Sequence, residues 1–343
     1  MSVKISVVIP IYNGEQVLSR CVDSLLCQTL DSIEIICVND GSSDRTRDII
    51  DAYAAQNPSK VFGVHIDNGG SGRARNIGIC SARGEFLAFV DCDDYIEPDM
   101  MEQMYIAIKK NNADMAVCQY DRIDCRTNLP LSIEMTGFSD LCIPVLNNEI
   151  QLAFINTSPW NKLYRMSLVR EITFPEMSLF EDLVYLSKIY PKLNRVCFVP
   201  RVLYHYIVSP NSAISRVSKE AMLRLFELFK QLEAIYKRES NSRMYELLEY
   251  MAVIHLGISL LFRMSFQKNI PSKLYSRQVA SFLNKTFPHW RHNPYLSWRY
   301  GFSHGIRALA VSVAGMLHRM GLFGIFLFLY RLLLNITGAE FKW

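Results

Sequence analysis

Several things are scarce in this 343-residue chain. Its nine cysteines, Cys21, Cys27, Cys37, Cys80, Cys92, Cys118, Cys125, Cys142 and Cys197, include no C-x-x-C pair. Neither a zinc site nor a disulfide frame is therefore signalled. With Gly 16 and Pro 13, collagen-like and low-complexity architectures are excluded. No run of about 20 uncharged apolar residues exists, so no unambiguous membrane-spanning helix is read. From Tyr250 to Ala339 there is no aspartate or glutamate, although the stretch carries ten lysines and arginines. Residues 1–249 have a net charge of −6 and residues 250–343 a net charge of +10, which the overall +4 conceals. Such asymmetry points to a polyanion or an anionic membrane as partner of the C-terminal part.

What is present is a globular pattern. Half of the residues are hydrophobic, enough for two or three domains with cores and incompatible with general disorder. The start, Met-Ser-Val-Lys-Ile, leads into a strand and a polar turn and does not read as a signal peptide. Together with the unpaired cysteines, this gives the expectation of a reducing cytosol.

Ile5–Ile9, Ile33–Val38, Val61–Ile66 and Phe86–Val90 read as buried strands. Helical patterns follow the first three. Alternation of this kind implies a parallel sheet with helices on both faces. The polar segments Pro10–Glu15, Asn39–Asp44, Asp67–Arg75 and Asp91–Asp94 each follow the C-terminal end of a strand. Open α/β sheets bind ligands outside those ends, so four distant segments are expected to line one crevice.

Each polar segment has a plain reading beside a functional one. In Asp91-Cys92-Asp93-Asp94, positions i and i+2 of an extended chain face one way, so Asp91 and Asp93 suit a Mg²⁺ or Mn²⁺ ion. A solvated acidic turn explains the same residues. Asp67-Asn68-Gly69-Gly70-Ser71-Gly72 opens a helix carrying Arg73 and Arg75, an anion-binding arrangement or an ordinary flexible turn. It is neither G-x-x-x-x-G-K-[ST] nor G-x-G-x-x-G, which lowers Walker-type and dinucleotide readings. Asn39–Asp44 fits a turn and a helix cap, and Asp40 is placed to accept hydrogen bonds from a base or ribose. Glu181 and Asp182 open an apolar helical pattern, either as charges favoured by the dipole or as a general base.

The motifs Ile-Pro-Ile-Tyr-Asn-Gly-Glu (9–15), Val-Asn-Asp-Gly-Ser-Ser-Asp (38–44), Asn-Gly-Gly…Ala-Arg-Asn (68–76) and Phe-Val-Asp-Cys-Asp-Asp (89–94) occur in order. Pro-Trp-Asn-Lys-Leu-Tyr (159–164), Glu-Asp (181–182) and Tyr-His-Tyr…Asn-Ser (204–212) follow. Over about residues 3–216 the chain resembles bacterial family 2 glycosyltransferases. The resemblance implies a GT-A fold: a Rossmann-like mixed, mostly parallel sheet with helices on both faces, followed here by an α-helical C-terminal region. It divides the chain into a nucleotide-sugar half (1–112), an acceptor and base half (113–217) and a helical region (218–343).

By position, the resemblance implies that Pro10, Tyr12 and Asp40 hold uracil and ribose, with Glu15 in support. It makes Asn68 and Arg75 nucleotide or phosphate contacts, Asp93 the metal ligand, Asp91 a ribose or metal ligand, and Asp94 a donor-sugar contact. Asp182 matches the general base and Glu181 its neighbour. Trp160 and Lys162 fall at acceptor or sugar contacts, and His205 and Ser212 in a segment that closes over the diphosphate. One departure is that Ile207 and Val208 stand where relatives often carry a basic residue, with Arg201 or Arg216 as candidates to compensate. The implied reaction is inverting transfer of a hexosyl or N-acetylhexosaminyl group from a UDP-sugar, with Mn²⁺ or Mg²⁺, to a glycan or lipid-linked acceptor. The rival readings are a nucleotidyltransferase of similar fold and a non-catalytic nucleotide-sugar-binding assembly partner.

Residues 218–262 read as amphipathic helices. Trp290, Tyr295, Trp298 and Tyr300 are interleaved with Arg291, His292 and Arg299, a mixture that fits nucleic acid and equally suits a membrane interface. The uncharged core Met320–Tyr330 is 11 residues against about 20 needed to span. The expectation is a peripheral protein on the inner face of the cell membrane, contacting anionic lipid through about 263–334. Nucleic acid is not expected, and a buried helix or a homo-oligomer contact is left open.

Overall fold

The structure, a computed structural model, describes residues 2–138, 141–176, 180–209, 219–239, 241–265 and 272–337. The chain forms two compact units: Met1–Asn148 with Asn156–Ser212, and Glu149–Ile155 with Ala213–Trp343.

The first unit begins β1 (Ile5–Ile11), α1 (Leu18–Leu26), β2 (Ile33–Asp40), α2 (Thr46–Gln56), β3 (Val61–Ile66), α3 (Ser71–Ser81), β4 (Phe86–Phe89). It continues β5 (Tyr95–Ile96), α4 (Met100–Lys110), β6 (Met115–Asp124), β7 (Pro130–Glu134), β8 (Cys142–Pro144), β9 (Lys162–Arg165), α5 (Met166–Val169), α6 (Glu181–Ile189) and β10 (Arg195–Val208). One ten-stranded sheet has the order β3-β2-β1-β4-β9-β6-β10-β5, with β7 on β6 and β8 on β10. Six strands run one way, while β5, β7, β8 and β9 oppose them. Every residue of β1 and β2 is buried, as expected of strands covered on both faces.

The crevice has a topological cause. Strand order reverses at β1, whose sequence successor β2 lies on one side and β4 on the other. Pairing of β1 with β4 ends at Val8 and Phe89, whereas pairing with β2 continues to Ile11. The sheet therefore opens just where the polar segments leave the strands. Pro10 lies in that one-sided stretch, where its missing N–H is tolerated.

The second unit holds α7 (Lys219–Arg238), α8 (Ser242–Ala252), α9 (Leu261–Ser265), α10 (Ser272–Thr286), α11 (Trp298–Ser303), α12 (Gly305–Arg319) and α13 (Phe323–Thr337). A π-helical stretch, Val253–Leu260, joins α8 to α9. Asn241 caps α8 by accepting from the N–H groups of Arg243 and Met244. By length and composition, the run Ser242–Met264 could cross a membrane, but 83% of its apolar window is buried inside the protein. It is read as this unit's core helix. His318 of α12 is hydrogen-bonded to the Gly257 carbonyl at 2.8 Å, where a Cβ on Gly257 would press on the ring at 3.2 Å.

Candidate active site

Two loops knit one wall of the crevice. Asn13, at φ +50°, accepts from the Ser43 N–H at 2.9 Å and donates its own N–H to Ser42 Oγ at 2.9 Å. Asp44 accepts from the N–H groups of Glu15 and Thr46, and Thr46 Oγ1 from that of Gly14. Glu15 accepts from the Arg45 N–H at 3.1 Å. Tyr12 is held by this frame with 56% of its surface exposed, so its ring is presented to solvent.

Asp40 ends β2 and shapes the next loop. Its Oδ1 accepts from the Gly69 N–H at 2.8 Å and its Oδ2 from the Gly70 N–H at 2.7 Å. Asn68 Nδ2 donates to the Asp40 carbonyl at 2.9 Å. The approach needs Gly41: at φ +66° a Cβ would lie 2.6 Å from the Asn68 nitrogen. Asp40 thus holds the 67–70 loop against β2, a role in addition to the base or ribose contact expected of it.

Arg75, buried on α3, is the electrostatic centre. Its Nη2 donates to Asp91 Oδ1 at 2.9 Å and its Nη1 to Asp182 Oδ1 at 3.1 Å, with Glu181 Oε1 3.8 Å away. Its guanidinium lies 5.3 Å from the Phe174 ring centroid. Ser71 Oγ donates to Glu181 Oε1 at 2.7 Å, tying the start of α3 to the start of α6. Four residues separated by up to 107 positions are thereby joined through one side chain. Burial, partly offset by Arg75, pushes the Asp182 carboxyl well above the ordinary range. That is how a carboxylate becomes basic enough to take a proton near neutrality.

Asp93 is exposed in the crevice, and desolvation with the Asp91 charge pushes it up to about 6. Among the described residues no group of three or more histidine, cysteine or acidic side chains could hold a metal ion by itself. Asp91 and Asp93 supply hard oxygens, so the donor set fits Mg²⁺ or Mn²⁺ if a phosphate ligand and water complete the shell.

Other expected contacts turn inward. Asp94 is fully buried, its oxygens accepting from the Tyr204 hydroxyl at 2.6 Å and the Ile207 N–H at 2.8 Å. It anchors the 91–94 turn to β10. Lys162 is also fully buried, and its Nζ donates to Asn156 Oδ1, the Ser158 carbonyl and Asn161 Oδ1 at 2.9, 2.6 and 2.8 Å. All three ammonium protons have partners, and burial pulls its pKa down to about 7. Trp160, 4% exposed, stacks on Tyr204 at 4.2 Å and Tyr206 at 5.5 Å. Both residues brace the floor, where sequence position suggested sugar or acceptor contact.

His205 stacks on Tyr95 and has both ring nitrogens 2.8 Å from carboxylates, Nδ1 from Asp121 and Nε2 from Glu97. Its polar atoms are engaged by protein. Arg201 pairs with Asp99 at 2.6 Å. Ser212 and Arg216 lie outside the described residues. Sequence reasoning missed Ser71, Asn13, Thr46 and Phe174 as parts of the site. Ser71, inside the glycine-rich turn, and Asn13, inside the 10–15 segment, stood in segments already singled out, whereas Thr46 and Phe174 did not.

The glycosyl transferase family 2 profile matches residues 6–173. The chain is 33% identical over 266 residues to EpsH of Bacillus subtilis (strain 168), an inferred glycosyltransferase, covering 75% of this chain and 76% of that one. It is 30% identical over 208 residues to the poly(ribitol-phosphate) beta-N-acetylglucosaminyltransferase TarS of Staphylococcus aureus (strain Mu50 / ATCC 700699). That match covers 59% of this chain but about a third of TarS, 35%. The crystal structure of S. aureus TarS 1–349 in complex with UDP-GlcNAc superposes with a TM-score of 0.73 at 22% identity, covering 93% of this chain and 92% of that one. The chain belongs to glycosyl transferase family 2 and is an enzyme of that class with the GT-A fold.

Proposed function

We propose that this glycosyltransferase moves a hexosyl or N-acetylhexosaminyl group from a UDP-sugar to a hydroxyl of a cell-surface or lipid-linked glycan, with inversion. The observation that carries the reading is the Arg75 bridge, which sets Asp91 on one side and Asp182 on the other. The relatives' names support a sugar nucleotide and a polyol-phosphate or polysaccharide acceptor.

In this scheme Asp91 and Asp93 would hold a divalent cation, which would supply charge neutralisation at the leaving diphosphate. A manganese-bound solved structure of similar fold, the mannosyltransferase PcManGT of Pyrobaculum calidifontis in complex with GDP-Man and Mn2+, makes the same ion reasonable here. Asp182 takes the acceptor proton, and Glu181, held by Ser71, keeps the site anionic beside it. Arg75 offers the diphosphate a fixed cation in place of Asp91 or Asp182, so donor binding loosens its hold on the base. Tyr12 is exposed and available to stack on the base.

Turnover on a panel of UDP-sugars with polyol-phosphate and lipid-linked acceptors tests the scheme. Asp182→Asn is expected to lower transfer by about 10²–10⁴-fold while UDP binding persists. Normal turnover in that variant removes Asp182 as base, and full activity in excess EDTA removes the metal.

A further inference from the structure

The second unit ends in a helix with an unusual cross-section. In α13, Phe323, Phe326 and Leu327 are buried, as an ordinary amphipathic helix would have them. The opposite face should then be polar. Instead Ile325, Phe328, Leu329 and Leu332 are exposed by 49%, 66%, 55% and 48%. Their spacing, i, i+3, i+4 and i+7, makes one continuous stripe. Leu322, in the turn before α13, extends it.

A cavity of about 410 Å³ lies beside the stripe, lined by Arg277 and Ser276 of α10 together with Leu322 and Ile325. A cation therefore borders the apolar face. No acidic residue stands between Tyr250 and Ala339, and residues 250–343 carry a net charge of +10.

We propose that the exposed face of α13, with Arg277 at its edge, is a docking surface for an anionic lipid bilayer, holding the enzyme peripherally on the inner leaflet of the cell membrane. Apolar stripes this wide on a folded surface mark interaction sites. Three features select lipid as the occupant. A second copy would bring two strongly positive regions together, which charge repulsion opposes. Single-stranded nucleic acid needs aromatic platforms, whereas three of the four stripe residues are aliphatic. The helix is too short to span: its 15 residues cover about 22 Å against the roughly 30 Å hydrocarbon core, and Phe323, Phe326 and Leu327 on its other side are packed in protein. An apolar face bordered by arginine is what an interfacial helix presents to anionic headgroups.

The test is flotation of the full chain with phosphatidylcholine vesicles, with and without phosphatidylglycerol, and it does not depend on the transfer reaction. Binding is expected to rise about tenfold with the anionic lipid and to fall at about 0.5 M salt, as screening shortens the electrostatic reach. Phe328→Ser/Leu329→Ser is expected to lose about tenfold in binding with an unchanged circular dichroism spectrum and melting temperature. Arg277→Gln should lose binding to anionic vesicles alone. No binding by the wild type, binding indifferent to lipid charge, or full binding by the double variant overturns the proposal. So does a wild-type dimer that the double variant converts to monomer without vesicle binding, or retention of single-stranded RNA instead of vesicles.

Discussion

Replacing Arg75 with leucine tests the electrostatic reading of the crevice, because one guanidinium there answers three carboxylates. It reaches Asp91 at 2.9 Å, Asp182 at 3.1 Å and Glu181 at 3.8 Å. The arginine side chain is 5% exposed, and those of Asp91, Asp182 and Glu181 are 26%, 30% and 13% exposed. Removing one partner of a buried ion pair costs about 3–5 kcal/mol, since the charge left behind has neither water nor a counterion. These carboxylates keep partial access to water, so the lower end applies, about 3 kcal/mol. For a domain near 200 residues that lowers the melting temperature by about 6–12 °C. The loss has a defined pH dependence. Without the guanidinium the Asp182 carboxyl, which burial already raises and Arg75 partly lowers, titrates at higher pH still, and its protonation then removes part of the repulsion. The deficit relative to wild type is therefore full at alkaline pH and shrinks as the pH falls through that raised value. Arg75→Lys keeps the charge but loses the two-pronged geometry, and should fall between the two. Calorimetry or near-ultraviolet circular dichroism across the pH range reads all three proteins. A leucine variant that melts with wild type at alkaline pH, or a deficit that grows on acidification, refutes the reasoning.

Other consequences follow from the same geometry. Lys162→Met keeps the buried volume but strips three acceptors of their donor, so stability in urea should fall by about 2–3 kcal/mol while the donor KM is unchanged. A raised donor KM with unaltered stability would instead make Lys162 a substrate contact. Gly41→Ala should cost about 1–3 kcal/mol from positive φ and the close Asn68 backbone, read from the denaturation midpoint. The single-turnover rate should rise with pH through a limb well above the usual carboxylate range, because burial raises the Asp182 pKa. A limb near pH 4 would mean that a solvated carboxylate is the base.

The sequence was informative where chain direction alone decides the outcome. Continuous apolar runs such as Ile33–Val38 have to be buried on both faces, and polar residues that follow them have to emerge at one edge of a parallel sheet. Asp40, Arg75 and Asp91 were singled out this way and Asp182 by the start of a helical pattern and the family resemblance; the structure sets Asp91 and Asp182 on either side of the Arg75 guanidinium. Side-chain direction was not readable. Asp94 sits one residue beyond Asp93 yet points into β10, and Lys162 and Trp160 point under the crevice instead of into it. Sequence position and motif order are the same in either orientation. What decides is the aromatic packing of Tyr204 and Tyr206, on β10, with Trp160, in the turn that leads into β9.

The helical unit shows the opposite difficulty. Glu246 and Glu249 interrupt the apolar pattern, so Ser242–Met264 did not stand out as one long core helix. The structure buries Glu249 at 2% exposure against Asn293, whose Nδ2 donates to its Oε2 at 3.1 Å, and burial pushes this carboxyl up to about 7. A glutamate near neutrality can sit in a core at modest cost if its neutral form predominates. In α13 the pattern misleads in the other sense: Phe323–Leu329 is apolar on every face, which ordinarily means full burial. Ile325, Phe328 and Leu329 are nevertheless exposed. The charge distribution is what the proposed lipid docking rests on: no acid occurs for ninety residues of sequence around these exposed apolar side chains, as a partner both apolar and anionic requires.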